Sequence, residues 1–382
     1  MKMKTKVLSG SHFVSGDWAC AEAAISAGCN YYAAYPITPA TEIAERIAQR
    51  FPQLGGKFIQ FEDEIGAIAS VIGASFTGMK AMTATSGPGI SLMLENLGLA
   101  VMTEAPCVII NVMRVGPSTG QPTMGAQGDV MQCRWGMHGD VEVIALAPES
   151  VQECYDLTIE AFNLSERYRV PVFLLSDANI GHMYERLIIP AESDLRLFNR
   201  KKPTVQPVDY EPYKPGDDLV PPMATFGEGY RFYSTGLTHD EKGYPDSSAE
   251  AQDRLIRRLC DKVRRDRKKI IRFEELETED CDVLVVAYGV TARSAAAAVR
   301  QAREEGVKAG LLRLITLWPF PEETIREHAT RVRSIIVSEM NYGQLVREVE
   351  RAARVDVSFI PKLGENPPTP DEILTEIRRR SI

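Results

Sequence analysis

Cysteine pairs, metal-type histidine spacing and long apolar runs are all missing from this chain, and each absence removes a class of function. The seven cysteines (Cys20, Cys29, Cys107, Cys133, Cys154, Cys260 and Cys281) are scattered, with no Cys-x-x-Cys pair. No disulfide framework and no cysteine-held zinc or iron–sulfur site is encoded, which leaves small buried thiols in a reducing compartment. With five histidines, none in a ligand spacing, no metal site is expected. No apolar stretch approaches the roughly 18–20 residues of a membrane span, and Met1-Lys2-Met3-Lys4-Thr5-Lys6 lacks the apolar segment and cleavage site of a signal peptide, so a cytoplasmic protein is expected. The Gly-x-Gly-x-x-Gly fingerprint is absent too, so Gly289 reads as a tight-turn glycine and a nicotinamide enzyme is rejected. A formal net charge of −8 argues against nucleic acid as a partner.

What is present is a chain of 382 residues with 44% hydrophobic content, enough for two α/β domains in series. Over residues 14–180, apolar runs suited to buried parallel strands (31–35, 80–85, 107–113, 141–146, 170–175) alternate with helical patterns at 41–50, 64–77 and 150–167. That is a doubly wound parallel sheet, expected as a domain over 1–190. Residues 191–278 read as an irregular, Pro-rich connector that ends in a basic helix. A second α/β domain over 279–382 begins with the strand Asp282–Gly289. The basic helix carries Lys or Arg at 254, 257, 258, 262, 264, 265, 267, 268 and 269, with Leu255, Leu259 and Val263 as its apolar stripe. It is either a solvated helix packed by that stripe or a docking patch for an acidic or phosphate-bearing partner.

Four features fall at the carboxyl ends of first-domain strands, where open α/β sheets bind ligands. Tyr35-Pro36-Ile37-Thr38-Pro39 is stiffened by two prolines, with Thr38 between the kinks. Glu62-Asp63-Glu64 opens a helical pattern, either as a cap or as a working carboxylate. Thr85-Ser86-Gly87-Pro88-Gly89 reads as a turn. Arg114 ends a strand and precedes a loop of hydroxyls, Ser118, Thr119 and Thr123 among them, which suits a small carboxylate ligand held bidentately. A structural pairing of Arg114 with Glu62 or Asp63 is the alternative.

Taken in order, these motifs, together with Met113-Arg114, Gly116-Pro117-Ser118-Thr119-Gly120 and Arg134-Trp135-Gly136-Met137-His138-Gly139-Asp140, resemble the alpha subunits of the 2-oxoacid:ferredoxin oxidoreductases. The resemblance covers nearly the whole chain. It implies a thiamine-diphosphate-enzyme pyrimidine-binding domain followed by a transketolase C-terminal-like α/β domain. It also implies CoA-dependent oxidative decarboxylation of a 2-oxoacid, with electrons passed to ferredoxin. In that family the glutamate matching Glu64 pairs with the N1′ nitrogen of the cofactor's aminopyrimidine; only the family register selects it over Glu62. By the same likeness Tyr35, Pro36, Ile37 and Thr38 line the cofactor, while Thr38, Arg114, Ser118 and Thr119 contact the substrate. Phe58-Ile59-Gln60, Ala84–Gly89 and Ser118–Thr123 look most like the 2-oxoglutarate-specific subunits, whereas Met113 looks more like the branched-chain enzymes.

The family's diphosphate and magnesium motif, Gly-Asp-Gly with a later asparagine, is not found; only Gly16-Asp17, Gly128-Asp129, Gly139-Asp140 and Gly216-Asp217 approach it. A beta subunit carrying the diphosphate site, Mg2+ and a [4Fe-4S] cluster is therefore expected, with a separate gamma subunit and a small ferredoxin-like delta subunit. Three alternatives remain: the same reaction on pyruvate or a branched-chain 2-oxoacid, a thiamine-dependent half-subunit without ferredoxin chemistry, and a non-catalytic structural subunit.

Overall fold

The computed structural model describes residues 7–364 and 366–381. Met1–Lys6, read above for a signal peptide, lie outside the described residues. The first half runs β1 (Gly10–Ser15), α1 (Gly16–Ser26), β2 (Tyr31–Ala34), α2 (Thr41–Leu54), β3 (Lys57–Gln60), α3 (Glu64–Phe76), β4 (Ala81–Thr85) and α4 (Gly87–Met102). It continues with β5 (Cys107–Val115), β6 (Gln121–Gly125), α5 (Val130–Trp135), β7 (Ile144–Leu146), α6 (Val151–Tyr168), β8 (Pro171–Asp177), α7 (Ala178–His182) and β9 (Tyr184–Ile189). After the connector come α8 (Ala249–Arg264), α9 (Arg267–Ile270), β10 (Phe273–Leu276), β11 (Val283–Tyr288), α10 (Gly289–Glu304), β12 (Ala309–Leu314) and β13 (Thr316–Trp318). The chain ends with α11 (Glu322–Ala329), β14 (Ser334–Glu339), α12 (Leu345–Ala353), β15 (Val357–Pro361) and α13 (Pro370–Ser381). Among the described residues, no helix is long and apolar enough to cross a membrane.

The large sheet has the order β13-β7-β8-β5-β4-β2-β3, with β6 paired to β5 beyond the bend of that strand. Its central strands are parallel and buried on both faces, as Val, Ile and Ala in β4, β5 and β8 dictate. The strand β13 comes from the far side of the connector and pairs antiparallel with β7. The second sheet, β10-β12-β11-β14-β15, is parallel except for its edge strand β10. Phe173, Trp318, Leu284 and Val286 belong to one continuous buried cluster, so the two sheets share a core and hold each other in register.

The connector wraps over the first sheet's surroundings rather than hanging free. Arg200 pairs with Glu166 and donates to the carbonyls of Ser75 (2.8 Å) and Met79 (2.9 Å). Arg169, fully buried, donates to the carbonyls of Glu104 (3.0 Å) and Pro221 (3.0 Å). The basic helix α8 is likewise tied down. Leu255, Leu259 and Val263 are buried, and Lys262 is sealed beneath them on Glu104 at 2.8 Å, with Arg258 on the same carboxylate at 2.7 Å. Arg264 holds Glu142, Arg257 holds Asp253, and Lys268 holds Glu323. Most of the helix's charge is thus neutralised within the chain, which favours the packed helix over a docking patch.

Candidate active site

The four motifs end adjacent strands of one sheet. In the order β5-β4-β2-β3, Arg114 lies on the first strand and Thr85 ends the second; Tyr35 and Glu62 follow the third and fourth. Two elements here were not expected from the sequence. The strand β3 is a short, exposed edge, and Gly87-Pro88-Gly89 is the first turn of α4 rather than a turn between elements.

Beyond β2 the chain leaves the sheet through Pro36 and Pro39, with a cis peptide between Thr38 and Pro39. Tyr35, Pro36 and Thr38 are exposed, and Ile37 is half-buried. Arg114 reaches across from β5 and donates from Nη1 to the Thr38 carbonyl at 2.7 Å. Arg114 is itself buried, and its Nε has no hydrogen-bond partner. Burial lowers its pKa, while Asp129 and Glu64 act in the opposite direction.

The carboxylate cluster divides its work by position. Glu62 is exposed. Asp63 is the cap of α3, its carboxylate accepting from Gly66 N at 2.7 Å. Glu64, the first helical residue, is 4% exposed and turns inward. Burial raises its carboxyl above the usual range, Asp63 pushes it further, and its own N–H and Arg114 pull back. Glu64 lies against the start of α4 at a position open only to glycine: a Cβ on Gly89 would stand 2.7 Å from Glu64 Oε1 and 1.9 Å from Thr85 Oγ1. The backbone there is bare, so a planar ligand can approach the carboxyl closely. This cradle and the raised Glu64 carboxyl fit an aminopyrimidine, whose ring nitrogen needs an acid able to share its proton.

Beside Arg114 opens a cavity of about 690 Å3, within the ordinary range for small-molecule sites of about 300–1,000 Å3. Arg114 and Ser118 line it together with Asp129, and Met340, Asn341 and Tyr342 close it from the second sheet. Thr119 follows on the exposed turn and does not line the cavity, and Thr123 is exposed on β6. Arg134 is engaged elsewhere, donating to Val141 O at 2.8 Å and stacking on Trp135.

The sequence reading missed Asp129 and the second-sheet wall. Gly128-Asp129 registered only as a failed diphosphate motif. Asn111 Nδ2 donates to Asp129 Oδ2 at 3.0 Å, and burial lifts this carboxyl to about 6 despite Asn111 and Arg114. The loop that carries Asp129 is clamped by the second sheet: Gln127 N donates to Met340 O (2.9 Å), Asn341 Nδ2 to Gln127 O (2.7 Å), and Met131 N to Gln344 Oε1 (3.0 Å). Side-chain amides on both sides were the only available signal, and their pairing spans more than 200 residues.

Comparison with known proteins places this chain in a class. The family described as pyruvate flavodoxin/ferredoxin oxidoreductase, thiamine-diphosphate-binding, matches residues 22–258, and pyruvate:ferredoxin oxidoreductase core domain II matches residues 281–373. The fold is thus a thiamine-diphosphate-enzyme pyrimidine-binding domain followed by a transketolase C-terminal-like one. Subunit KorA of 2-oxoglutarate synthase from Methanothermobacter marburgensis is 54% identical over 373 residues, covering 97% of this chain and 99% of the relative. Subunit VorB of ketoisovalerate oxidoreductase from Methanothermobacter thermautotrophicus is 36% identical over 371 residues, covering 96% and 97%. The structure of 2-oxoglutarate:ferredoxin oxidoreductase from Magnetococcus marinus, with 2-oxoglutarate, coenzyme A and succinyl-CoA bound, superposes with a TM-score of 0.94 at 34% identity, over 98% of this chain and 66% of that one. The chain belongs to the 2-oxoacid:ferredoxin oxidoreductase family and is similar over nearly its whole length to KorA subunits of 2-oxoglutarate synthase.

Proposed function

We propose that this chain is the alpha subunit of an enzyme that oxidatively decarboxylates 2-oxoglutarate in a CoA-dependent reaction, giving succinyl-CoA and CO2 and reducing ferredoxin. The observation that carries this reading is that a buried Glu64, its carboxyl raised by burial, and a buried Arg114 sit at the same edge of one sheet and act on each other electrostatically. Thiamine diphosphate supplies the carbon nucleophile and the electron sink when bound. Glu64 shares a proton with the ring nitrogen of the pyrimidine, a task for a carboxyl whose pKa burial raises. Arg114 binds the substrate's C1 carboxylate with the donors left over from Thr38, the unpartnered Nε among them. Tyr35, Pro36, Ile37 and the Thr38 side chain form the cofactor-facing wall. Ser118 offers its hydroxyl toward the second carboxylate of a dicarboxylic substrate; Thr119, outside the cavity, reaches it only if the exposed turn folds inward.

A partner completes the site. All seven cysteines are free and buried, in keeping with a reducing, cytoplasmic setting. We assign the diphosphate, Mg2+ and [4Fe-4S] sites to a beta subunit, with gamma and delta subunits, ferredoxin and coenzyme A as further partners. Residues 1–190, 191–278 and 279–382 serve as pyrimidine domain, connector and C-terminal-like domain. The greater identity to the 2-oxoglutarate relative than to the ketoisovalerate one, 54% against 36%, favours 2-oxoglutarate despite Met113. The test is kcat/KM of the assembled complex on 2-oxoglutarate, pyruvate and 2-oxoisovalerate. A preference of at least tenfold for 2-oxoglutarate is expected; equal values contradict the assignment.

A further inference from the structure

Behind the Tyr35–Pro39 loop, three side chains far apart in sequence converge. Asp17 is the second residue of α1, Glu42 the second of α2, and His182 the last of α7. His182 Nε2 lies 3.8 Å from Asp17 Oδ2 and 3.7 Å from Glu42 Oε2, and the three ligand atoms sit within 4.8 Å of one another. The same Nε2 is 3.2 Å from the carbonyl oxygen of Pro39, the residue that follows Thr38.

Asp17 has no structural task that explains it. It is 1% exposed, and neither carboxylate oxygen has a hydrogen-bond partner. The helix cap is supplied by Ser15, whose hydroxyl accepts from Trp18 N at 3.2 Å. No Lys or Arg pairs with Asp17 among the described residues, and burial, with Cys20 and Glu42 adding to it, pushes its carboxyl well up. Space is reserved for the group: a Cβ on Gly181 would stand 2.8 Å from Asp17 Oδ1. An ionised carboxylate in that condition costs several kcal/mol unless a proton or a cation meets it.

We propose that Asp17, Glu42 and His182 form a divalent-cation site that braces the inner side of the Tyr35–Pro39 loop. One imidazole with two carboxylates suits a borderline first-row dication, Mn2+ or Zn2+, better than the all-oxygen sets of Ca2+ or the thiolate sets of Cu(I). Two carboxylates and a neutral imidazole cancel the charge of a dication. Ligands at about 2.0–2.2 Å from the ion require mutual separations of about 3.0–3.5 Å, so the two His182 separations of 3.7 and 3.8 Å close by a few tenths of an ångström, and the Asp17–Glu42 separation, within 4.8 Å, closes as the exposed Glu42 side chain swings in. Glu42 and His182 are partly exposed and give the ion its entry path. When ligated, His182 Nε2 gives up its contact with Pro39 O, leaving that carbonyl as a candidate fourth ligand.

The test uses the full chain, stripped with chelator and titrated with Mn2+, with bound ion read from loss of the free-ion EPR signal and Zn2+ added in competition. One equivalent is expected to bind. Affinity should fall at least tenfold in both Asp17→Asn and His182→Ala, with the metal-free melting temperature of each within about 2 °C of native. Absence of binding, or equal binding by native and both variants, overturns the proposal. His182 is a partly exposed residue at a helix end, so His182→Ala decides the matter if Asp17→Asn does not fold.

Discussion

Arg114 Nη1 and the carbonyl oxygen of Thr38 stand 2.7 Å apart, so the arginine that faces the cavity also fixes the loop opposite it. Sequence reading treated Thr38 and Arg114 as two separate substrate contacts. In the fold they are one unit, with a backbone acceptor holding one guanidinium nitrogen and Nε left for a ligand. An unpartnered buried donor costs about 1–3 kcal/mol, which a bound carboxylate recovers.

Arg114→Lys keeps the charge but removes the fork and the tether together. In the assembled complex, kcat/KM for the 2-oxoacid is expected to fall about 100-fold, with KM raised at least tenfold. A change within threefold in steady-state assays contradicts a role in carboxylate binding.

Gly89→Ala places a methyl group 1.9 Å from Thr85 Oγ1 and 2.7 Å from Glu64 Oε1. Both neighbours are side-chain oxygens of buried residues, so the packing around them must shift to admit the methyl group. A stability loss of about 1–3 kcal/mol is expected in denaturant titrations, along with at least a tenfold fall in turnover.

Asp129 gives a pH signature. Its carboxyl is lifted to about 6, whereas an unfolded aspartate titrates near about 3.9. The folded chain therefore keeps a proton that the unfolded chain releases. The stabilisation this provides is full below about pH 4 and is lost as pH rises through 6. Asp129→Asn removes the titration, so the variant should match the native chain near pH 4 and exceed it at pH 8 by at most about 3 kcal/mol. Urea melts at the two pH values check the sign.

Glu104 is fully buried beneath α8, and Lys262, Arg258 and Arg169 outweigh the burial penalty and hold its carboxyl well below the usual range. Glu104→Gln leaves those cations without their counter-charge, and a loss of about 3–5 kcal/mol is expected. Hydrogen exchange should localise the loosening to α8. Lys262→Met, which leaves Arg258 on the carboxylate, should cost less.

Much of the fold was legible because its central strands are unbroken apolar runs and its helices carry recognisable caps, such as Ser150 before α6. The strand β3 was not, since a four-residue edge with Lys57 and Gln60 exposed carries no hydrophobic period. The helix α4 was hidden by Gly87-Pro88-Gly89, which reads as a turn although proline is at home in a helix's first turn. The expected strand at 141–146 is shortened to β7 because Val141 serves as an acceptor for Arg134 instead of joining the ladder. Glu64 and Glu62 were chemically equivalent in the sequence; the cap made by Asp63 is what turns one inward and leaves the other in solvent. The pairing of β13 with β7, and with it the cavity's second wall, depends on contacts across the connector that no local pattern encodes.

Turnover of 2-oxoglutarate by the assembled complex carrying Glu64→Gln bears most directly on the site. Glutamine keeps the shape and hydrogen-bonding reach of Glu64 but cannot share a proton with a ring nitrogen. A fall in kcat of at least 100-fold is expected, with subunit composition and melting temperature unchanged. Turnover within twofold of the native complex would contradict the assignment of Glu64 as the catalytic carboxyl.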